Sequence, residues 1–284
     1  MKSVQGKRVL VTGAAMGMGR LFAERAVAEG AAAVVLWDLN EDALNDTLEA
    51  LAGLAEMGGS GTNVCGYIVD VASAQEVADT AAAVLDEVGT IDVLVNNAGI
   101  VRGNHYFWET DLQRDTTATI AVNTLAPMYV THAFLPAMVA GTGECRLLNL
   151  ASAAGFTPNP RMAVYAASKW AVIGWSDSVR LELKQAGAQQ VTVTTVCPYY
   201  VNTGMFDGAR SAPLLPILDP ADVVEEAWSA MLAGKPFVVL PKTVMLSEML
   251  KGVIPTGVRD FIADHIIGVY HTMEDFTGRE GTRQ

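Results

Sequence analysis

Three side chains between Ala151 and Lys169 (ASAAGFTPNPRMAVYAASK) have the types and spacing for proton transfer at an alcohol or carbonyl oxygen. Twelve residues separate Ser152 from Tyr165, and three separate Tyr165 from Lys169. Residues four apart on a helix share a face, one turn from each other. A phenol titrates near pH ~10 and is a poor proton carrier at neutrality. A nearby ammonium favours the phenolate and lowers that value. Bringing Tyr165 down by about three pH units asks for roughly 4 kcal/mol. Ser152 would orient the substrate oxygen and stabilise the charge that develops there.

A Tyr and a Lys four apart are common on any helix, so the rest of the chain must supply their setting. Ser152 follows Leu147-Leu148-Asn149-Leu150-Ala151, which has the continuous apolar character of a buried parallel strand. That predicts a hydroxyl at a strand's C-terminal end, facing a Tyr-Lys pair on the next helix.

The chain has 284 residues, enough for one α/β domain with a good core. Half of it is apolar, which excludes disorder. A net charge of −12 argues against nucleic-acid partners. Cys65, Cys145 and Cys197 lie apart, in or near apolar runs, without disulfide or zinc spacing. They predict buried thiols in a reducing, cytoplasmic compartment. Met1 to Gly6 is short and polar, so no signal peptide is expected. Thr116 to Gly143 carries no Asp, Glu, Lys or Arg, but two prolines, Asn123 and His132 favour a helix buried in protein over a membrane span.

Lys7 to Thr12 reads as a first strand running into Thr12-Gly13-Ala14-Ala15-Met16-Gly17-Met18-Gly19, with a helix from Arg20 to Glu29. Glycines at 13, 17 and 19, after a strand and opening a helix, suit a pyrophosphate at the helix N-terminus. The next strand, Ala33 to Trp37, ends at Asp38, nineteen residues beyond Gly19. A carboxylate there binds the adenosine ribose hydroxyls and repels a 2′-phosphate. Neither Ala14–Gly19 nor Leu39–Asn45 holds a Lys or Arg, so NAD is favoured over NADP. Arg20 is expected to be structural. Further strands at Val64–Val69, Ile91–Val95, Val191–Cys197 and Phe237–Leu240 alternate with helices at Glu41–Leu54, Ser73–Val88, Asp111–Ala140 and Met162–Ala186. The sum is a single-domain Rossmann fold over 1–284: a doubly wound, seven-stranded parallel sheet with helices on both faces.

TGAAMGMG, Asp70, Asn96-Asn97-Ala98-Gly99, Asn123, Ser152, Tyr165 and Lys169 together resemble the classical short-chain dehydrogenase/reductases over Lys7 to Leu240. The resemblance implies that Gly13, Ala15, Met16, Gly17, Met18, Gly19, Asp38 and Leu39 hold the adenosine half of NAD. Asp70 would bond the adenine amine, and Val71 would line its pocket. Asn96 to Gly99 would support the sheet beside the cofactor, with Asn97, Ala98 and Gly99 binding it; Tyr165, Lys169, Pro198, Val201 and Thr203 would hold its nicotinamide end. Asn123 would hold a water beside Lys169, completing a proton relay. The family usually has Pro-Gly where this chain has Pro198-Tyr199, which bears on the loop's shape. The two long helices, Asp111–Ala140 and Met162–Ala186, would form a homodimer interface, often within a homotetramer.

Residues 204–218 read as a lid over an apolar substrate, and Asp219-Pro220 as an N-cap and first helical residue. Residues 242–276 form a C-terminal extension. Its sequence, with Trp37-Asp38 and VNTGMF, resembles the retinol dehydrogenase and 17-beta-hydroxysteroid dehydrogenase 11-like group. Members of that group often carry an N-terminal membrane anchor, which is not expected here. Val258, Phe261, Ile262, His265 and Ile266 form an apolar stripe expected to pack on the domain or a partner subunit. Gly278 to Gln284 reads as a frayed end. The expected activity is NAD-dependent interconversion of a hydrophobic alcohol and its carbonyl, with a pocket from Val101–Trp108, Ala153–Pro160 and the lid. An NADP-preferring carbonyl reductase and a catalytically idle NAD-binding module remain the alternatives.

Overall fold

Strands form where the sequence is continuously apolar, and adjacent residues in them face opposite sides of one sheet. In the computed structural model, which describes residues 1–213, 215–245 and 253–278, these are β1 (Arg8–Thr12), β2 (Ala33–Asp38), β3 (Asn63–Ile68), β4 (Val93–Asn96), β5 (Cys145–Leu150), β6 (Val191–Pro198) and β7 (Phe237–Leu240). They make one seven-stranded sheet in the order β3-β2-β1-β4-β5-β6-β7, and every neighbouring pair is parallel. The seventh strand has the bounds that the sequence predicts.

Helices cover both faces: α1 (Gly17–Ala28), α2 (Glu41–Met57) and α3 (Ala74–Glu87), then α4 (Ala118–Ile120), α5 (Ala126–Ala140), α6 (Ala163–Gln185) and α7 (Pro220–Leu232). Val9, Val11, Val34, Leu36, Val93 and Val95 pack with Phe22, Leu44, Leu51, Trp228 and Met231 on one side. Leu10, Val35, Trp37, Leu94 and Leu147 pack with Val77, Val84, Val130, Phe134 and Leu183 on the other. This alternation is the two-residue period of a strand buried on both faces. Burying each Leu or Phe contributes about 2–3 kcal/mol.

The caps are local. Asn40 accepts from the Ala43 amide at 3.0 Å, and Ser73 caps α3 through the Glu76 amide at 3.3 Å. Asp219 accepts from Ala221 at 2.8 Å, with Pro220 in the first turn of α7. The helix expected from Arg20 starts earlier, at Gly17, because the glycine turn itself feeds the first helical turn. The long helix expected from Asp111 is broken by two π turns, Leu112–Thr117 and Ala121–Leu125, the second holding Asn123. Such turns widen the helix and often mark functional sites.

Past β7 come α8 (Thr256–Phe261), a π turn (Ile262–Ile266) and a 3-10 turn (Val269–His271). The expected stripe divides: Ile262 lines a cavity of the domain, whereas His265 and the other apolar members face outward. Val258, Phe261 and Ile266 stand exposed, at 51%, 56% and 65%. Leu214 of the lid, residues 246–252 of the extension and most of the expected frayed end, 279–284, lie outside the described residues. Among the described residues no helix is long and apolar enough to cross a membrane, and the three cysteines are free.

Candidate active site

The sheet order reverses on either side of β1, whose neighbours are β2 and β4. Ligands of doubly wound sheets bind outside the strand C-termini at that reversal. There a groove of about 470 Å³ opens, lined from Asp38 and Asp70 at one end to Ser152, Tyr165 and Lys169 at the other.

Its floor is the turn after β1. Gly13 has φ +63°, and a Cβ there would meet the Ala98 Cα at 2.9 Å. A Cβ on Gly19 would stand 1.9 Å from the Gly13 carbonyl oxygen, so only glycine lets α1 approach the turn. Asn97 donates to the carbonyls of Thr12 and Gly13 at 2.9 and 3.0 Å. The Thr12 hydroxyl accepts from the amides of Asn97 and Ala98, each at 3.1 Å. The first turn of α1 holds no acidic side chain, leaving its positive end open to an anion. This bare backbone cradle is what a dinucleotide's pyrophosphate requires, and the residues present fit that group.

Asp38 accepts from the Ala15 amide at 2.9 Å and from the Asn40 amide at 3.0 Å, fixing its carboxylate at the groove's end. No basic side chain lines the groove there. Arg20 pairs with Glu24 at 2.9 Å, in the structural role expected of it.

Of the expected cofactor residues, Gly13, Met16, Gly17, Met18, Asp38, Leu39, Asp70, Val71, Asn97, Ala98, Gly99, Tyr165, Lys169, Pro198, Val201 and Thr203 line the groove. Ala15 and Gly19 do not. Ala15 holds the turn from behind, its amide on Asp38 and its carbonyl accepting from Thr47 at 2.8 Å. Gly19 is the contact point between helix and turn. Trp37, Met205 and Phe206 also line the groove, as do Asn40 and Val122, which no motif marks in the sequence.

Ser152, Tyr165 and Lys169 come together at 7%, 5% and 5% exposure. Lys169 Nζ donates to the Leu150 carbonyl at 3.0 Å and lies 5.8 Å from the centre of the Tyr165 ring. The Ser152 hydroxyl accepts from the Ala154 amide at 3.1 Å and donates to the Pro198 carbonyl at 3.4 Å. Burial sets the electrostatics. It pushes the Tyr165 phenol above its ordinary value, with Ser152 pulling the other way, and pushes the Lys169 ammonium down to about 8. Desolvation is thus the largest influence on Tyr165 in the protein alone, and it acts against the lowering expected from Lys169. Cys197, fully buried beside them, has its thiol pushed up by burial and stays neutral.

Asn123 stands behind this group rather than on the groove wall. Its amide donates to the Ile100 carbonyl at 2.9 Å and to Ser168 at 3.2 Å, and its oxygen accepts from the Ile100 amide at 2.8 Å. A Cβ on Gly99 would lie 3.4 Å from the Asn123 oxygen and 3.7 Å from Lys169 Nζ, so glycine keeps that corner open.

A second cavity, about 310 Å³ and apolar, begins at Ser152. The expected loop supplies Ala153, Ala154, Phe156, Thr157, Pro158 and Asn159, and the lid supplies Pro213 and Leu215. Its far wall comes from Thr243, Val244, Ile254, Ile262, Ile267, Val269 and Tyr270 of the C-terminal segment. The segment Val101 to Trp108 is not part of it. Residues 101–105 border a separate cavity with Arg102, Arg114 and Asp115, His105 is exposed, and Phe107 and Trp108 face outward at 55% and 79%.

A model of the short chain dehydrogenase family matches residues 7–213. Epidermal retinol dehydrogenase 2 of Mus musculus is 36% identical over 282 residues, covering 98% of this chain and 88% of its own. Retinol dehydrogenase 10 of Homo sapiens is 36% identical over 279 residues, covering 89% and 80%. A short-chain dehydrogenase/reductase from Burkholderia phymatum, solved in complex with NAD, superposes with a TM-score of 0.78 at 26% identity, covering 89% and 95%. A metagenomic short-chain oxidoreductase in complex with NADP superposes at 0.68 with 29% identity, covering 83% and 95%. With this sheet order, glycine turn and Ser-Tyr-Lys cluster, the chain belongs to the short-chain dehydrogenase/reductases, oxidoreductases that use a nicotinamide cofactor, and resembles their retinol dehydrogenase-like group.

Proposed function

We propose that the protein interconverts a hydrophobic alcohol and its aldehyde or ketone with NAD. The observation that carries this reading is that Ser152, beside Tyr165 and Lys169, lines both the cofactor-side groove and the apolar cavity. A substrate seated in the cavity presents its oxygen to Ser152 and Tyr165. NAD, held along the groove, supplies the hydride acceptor.

In oxidation, Tyr165 takes the hydroxyl proton while Ser152 holds the oxygen as its charge develops. Lys169 holds the ribose nearest the reacting ring, and its ammonium favours the phenolate. In reduction, the neutral phenol that burial already favours gives its proton to the carbonyl oxygen. Asn123 and the open corner at Gly99 lead the proton away past Lys169. Asp38 supports NAD over NADP by accepting from ribose hydroxyls and repelling a 2′-phosphate. Asp70 and Val71 hold the adenine, and Val201 and Thr203 the carboxamide. Residues 204–218 close over the substrate.

The free thiols fit a cytoplasmic protein. Homodimers or tetramers would form through the outer faces of α5 and α6, where Val139, Trp170 and Leu181 are exposed.

Substituting Tyr165→Phe tests the chemistry. Turnover of alcohols graded from short secondary alcohols to sterols should fall by about 10²–10⁴. NADH binding, followed by fluorescence titration, should stay. A variant that oxidises alcohols as fast as the native protein removes Tyr165 from the mechanism.

A further inference from the structure

Two residues line both the cofactor-side groove and the apolar cavity: Ser152 and Tyr199. Ser152 contributes a small hydroxyl. Tyr199 contributes a whole ring, 8% exposed, at the junction through which an apolar substrate must reach Tyr165.

The ring is held firmly. The Tyr199 amide donates to the Leu240 carbonyl at 2.7 Å, tying the residue to the end of β7. Its ring lies 4.3 Å from that of Tyr200. The Tyr200 hydroxyl accepts from Asn159 Nδ2 at 2.8 Å and shares a hydrogen bond with Thr272 at 3.0 Å. Tyr200 in turn lies 4.9 Å from Phe206, which meets the Tyr165 ring edge-on at 6.0 Å. Four aromatic rings thus run from the junction to the phenol at the reacting centre. Tyr199 is not in the left-handed backbone region, where Arg161 is the single non-glycine among the described residues. Its side chain therefore sits there without backbone strain.

The hydroxyl of Tyr199 lies near those of Tyr200 and Thr272, yet it meets hydrogen-bond geometry with no group among the described residues. What Tyr199 brings to the junction is bulk.

We propose that the Tyr199 ring is the specificity-determining partition of this site, admitting alcohols with one large apolar arm and excluding those bulky on both sides of the reacting carbon. Primary alcohols, their aldehydes and methyl carbinols satisfy that shape. The large arm enters the apolar cavity, and the small substituent passes beside the ring. The inference rests on the reading of Ser152, Tyr165 and Lys169 as an alcohol-oxidising centre.

The test compares decan-1-ol with dicyclohexylmethanol as substrates of the full chain, with NAD and with NADP. Tyr199→Ala should shift the ratio of kcat/KM values toward the bulky secondary alcohol by about tenfold or more, the scale on which apolar pockets discriminate shape. Tyr199→Phe should leave that ratio within about twofold, because the ring remains. Tyr199→Leu replaces the alanine variant if the latter fails to fold, as judged by its Tm. NADH affinity serves as the control for the groove. An unmoved ratio in a folded alanine or leucine variant, or a proportional loss on both alcohols, overturns the proposal. A native protein that oxidises neither alcohol and reduces neither carbonyl overturns the parent reading, and the partition with it.

Discussion

Lys169 Nζ donates to the Leu150 carbonyl oxygen at 3.0 Å, which ties α6 to the last residue of β5, two before Ser152. The bond fixes the lysine relative to the serine and draws its ammonium out of water. Burial lowers its value from 10.5 in the unfolded chain to about 8.

A sign follows for stability. Below pH 8 the lysine is protonated in both states, and the folded state bears the full penalty of the buried charge. As pH rises from 8 toward 10.5 the folded lysine loses its proton first, and the penalty disappears. Its size is about 3 kcal/mol. Relative to Lys169→Met, the native protein should therefore gain about 3 kcal/mol over that range in urea unfolding. The comparison with the variant removes the opposite trend from Cys65 and Cys145, whose thiols burial pushes up. A difference that stays flat with pH would contradict the buried charge.

Asp38 uses both carboxylate oxygens on the backbone, one on Ala15 and one on Asn40. The same negative charge faces the groove where a 2′-phosphate would lie. For Asp38→Ser, the NADP-to-NAD ratio of kcat/KM should rise by roughly thirtyfold, about 2 kcal/mol of relieved repulsion. Initial rates with both cofactors measure it. A native protein that already prefers NADP would refute the assignment.

Residues 204–218, proposed above to close over the substrate, are latched to the C-terminal segment through their backbone. Arg210 donates to the Thr272 carbonyl at 2.9 Å, and Thr277 donates to the Asp207 carbonyl at 2.8 Å. Between them Gly208 has φ +80°, and a Cβ there would stand 2.1 Å from the Asp275 carbonyl oxygen. Gly208→Ala must break that approach, at a cost of about 1–2 kcal/mol from backbone handedness alone. KM for apolar alcohols should rise while NADH affinity holds, and limited proteolysis should cut between 204 and 213. An unchanged KM and cleavage pattern would show that the latch does not govern access.

What the sequence makes legible is what short-range chemistry dictates. Ser73, Asp219 and Pro220 announce helix starts because caps act over two or three residues. Gly13, Gly19 and Asp38 are readable because one turn needs all of them at fixed offsets. The π turns around Asn123 carry no such local signature. Neither do the walls made by distant segments: Ile262, Tyr270 and Phe156 come to line one cavity only after the chain has folded. The stripe of Val258, Phe261, Ile262, His265 and Ile266 rests on an ideal helical period, which the π turn from Ile262 interrupts. Tyr165 illustrates a limit of another kind. Its neighbours were foreseeable, but the direction in which its proton affinity moves depends on how thoroughly the fold removes water.

The family match ends at residue 213, whereas Leu215, Val244, Ile254, Ile262, Val269 and Tyr270, which enclose the apolar cavity, come later in the chain. Clientele is thus written partly in a stretch that the match does not reach, alongside Tyr199 and the loop 153–159 within it. Drift in the later stretch can retailor which molecules are welcomed while the earlier stretch keeps its trade. Two such proteins can share every reacting group and still serve different metabolisms.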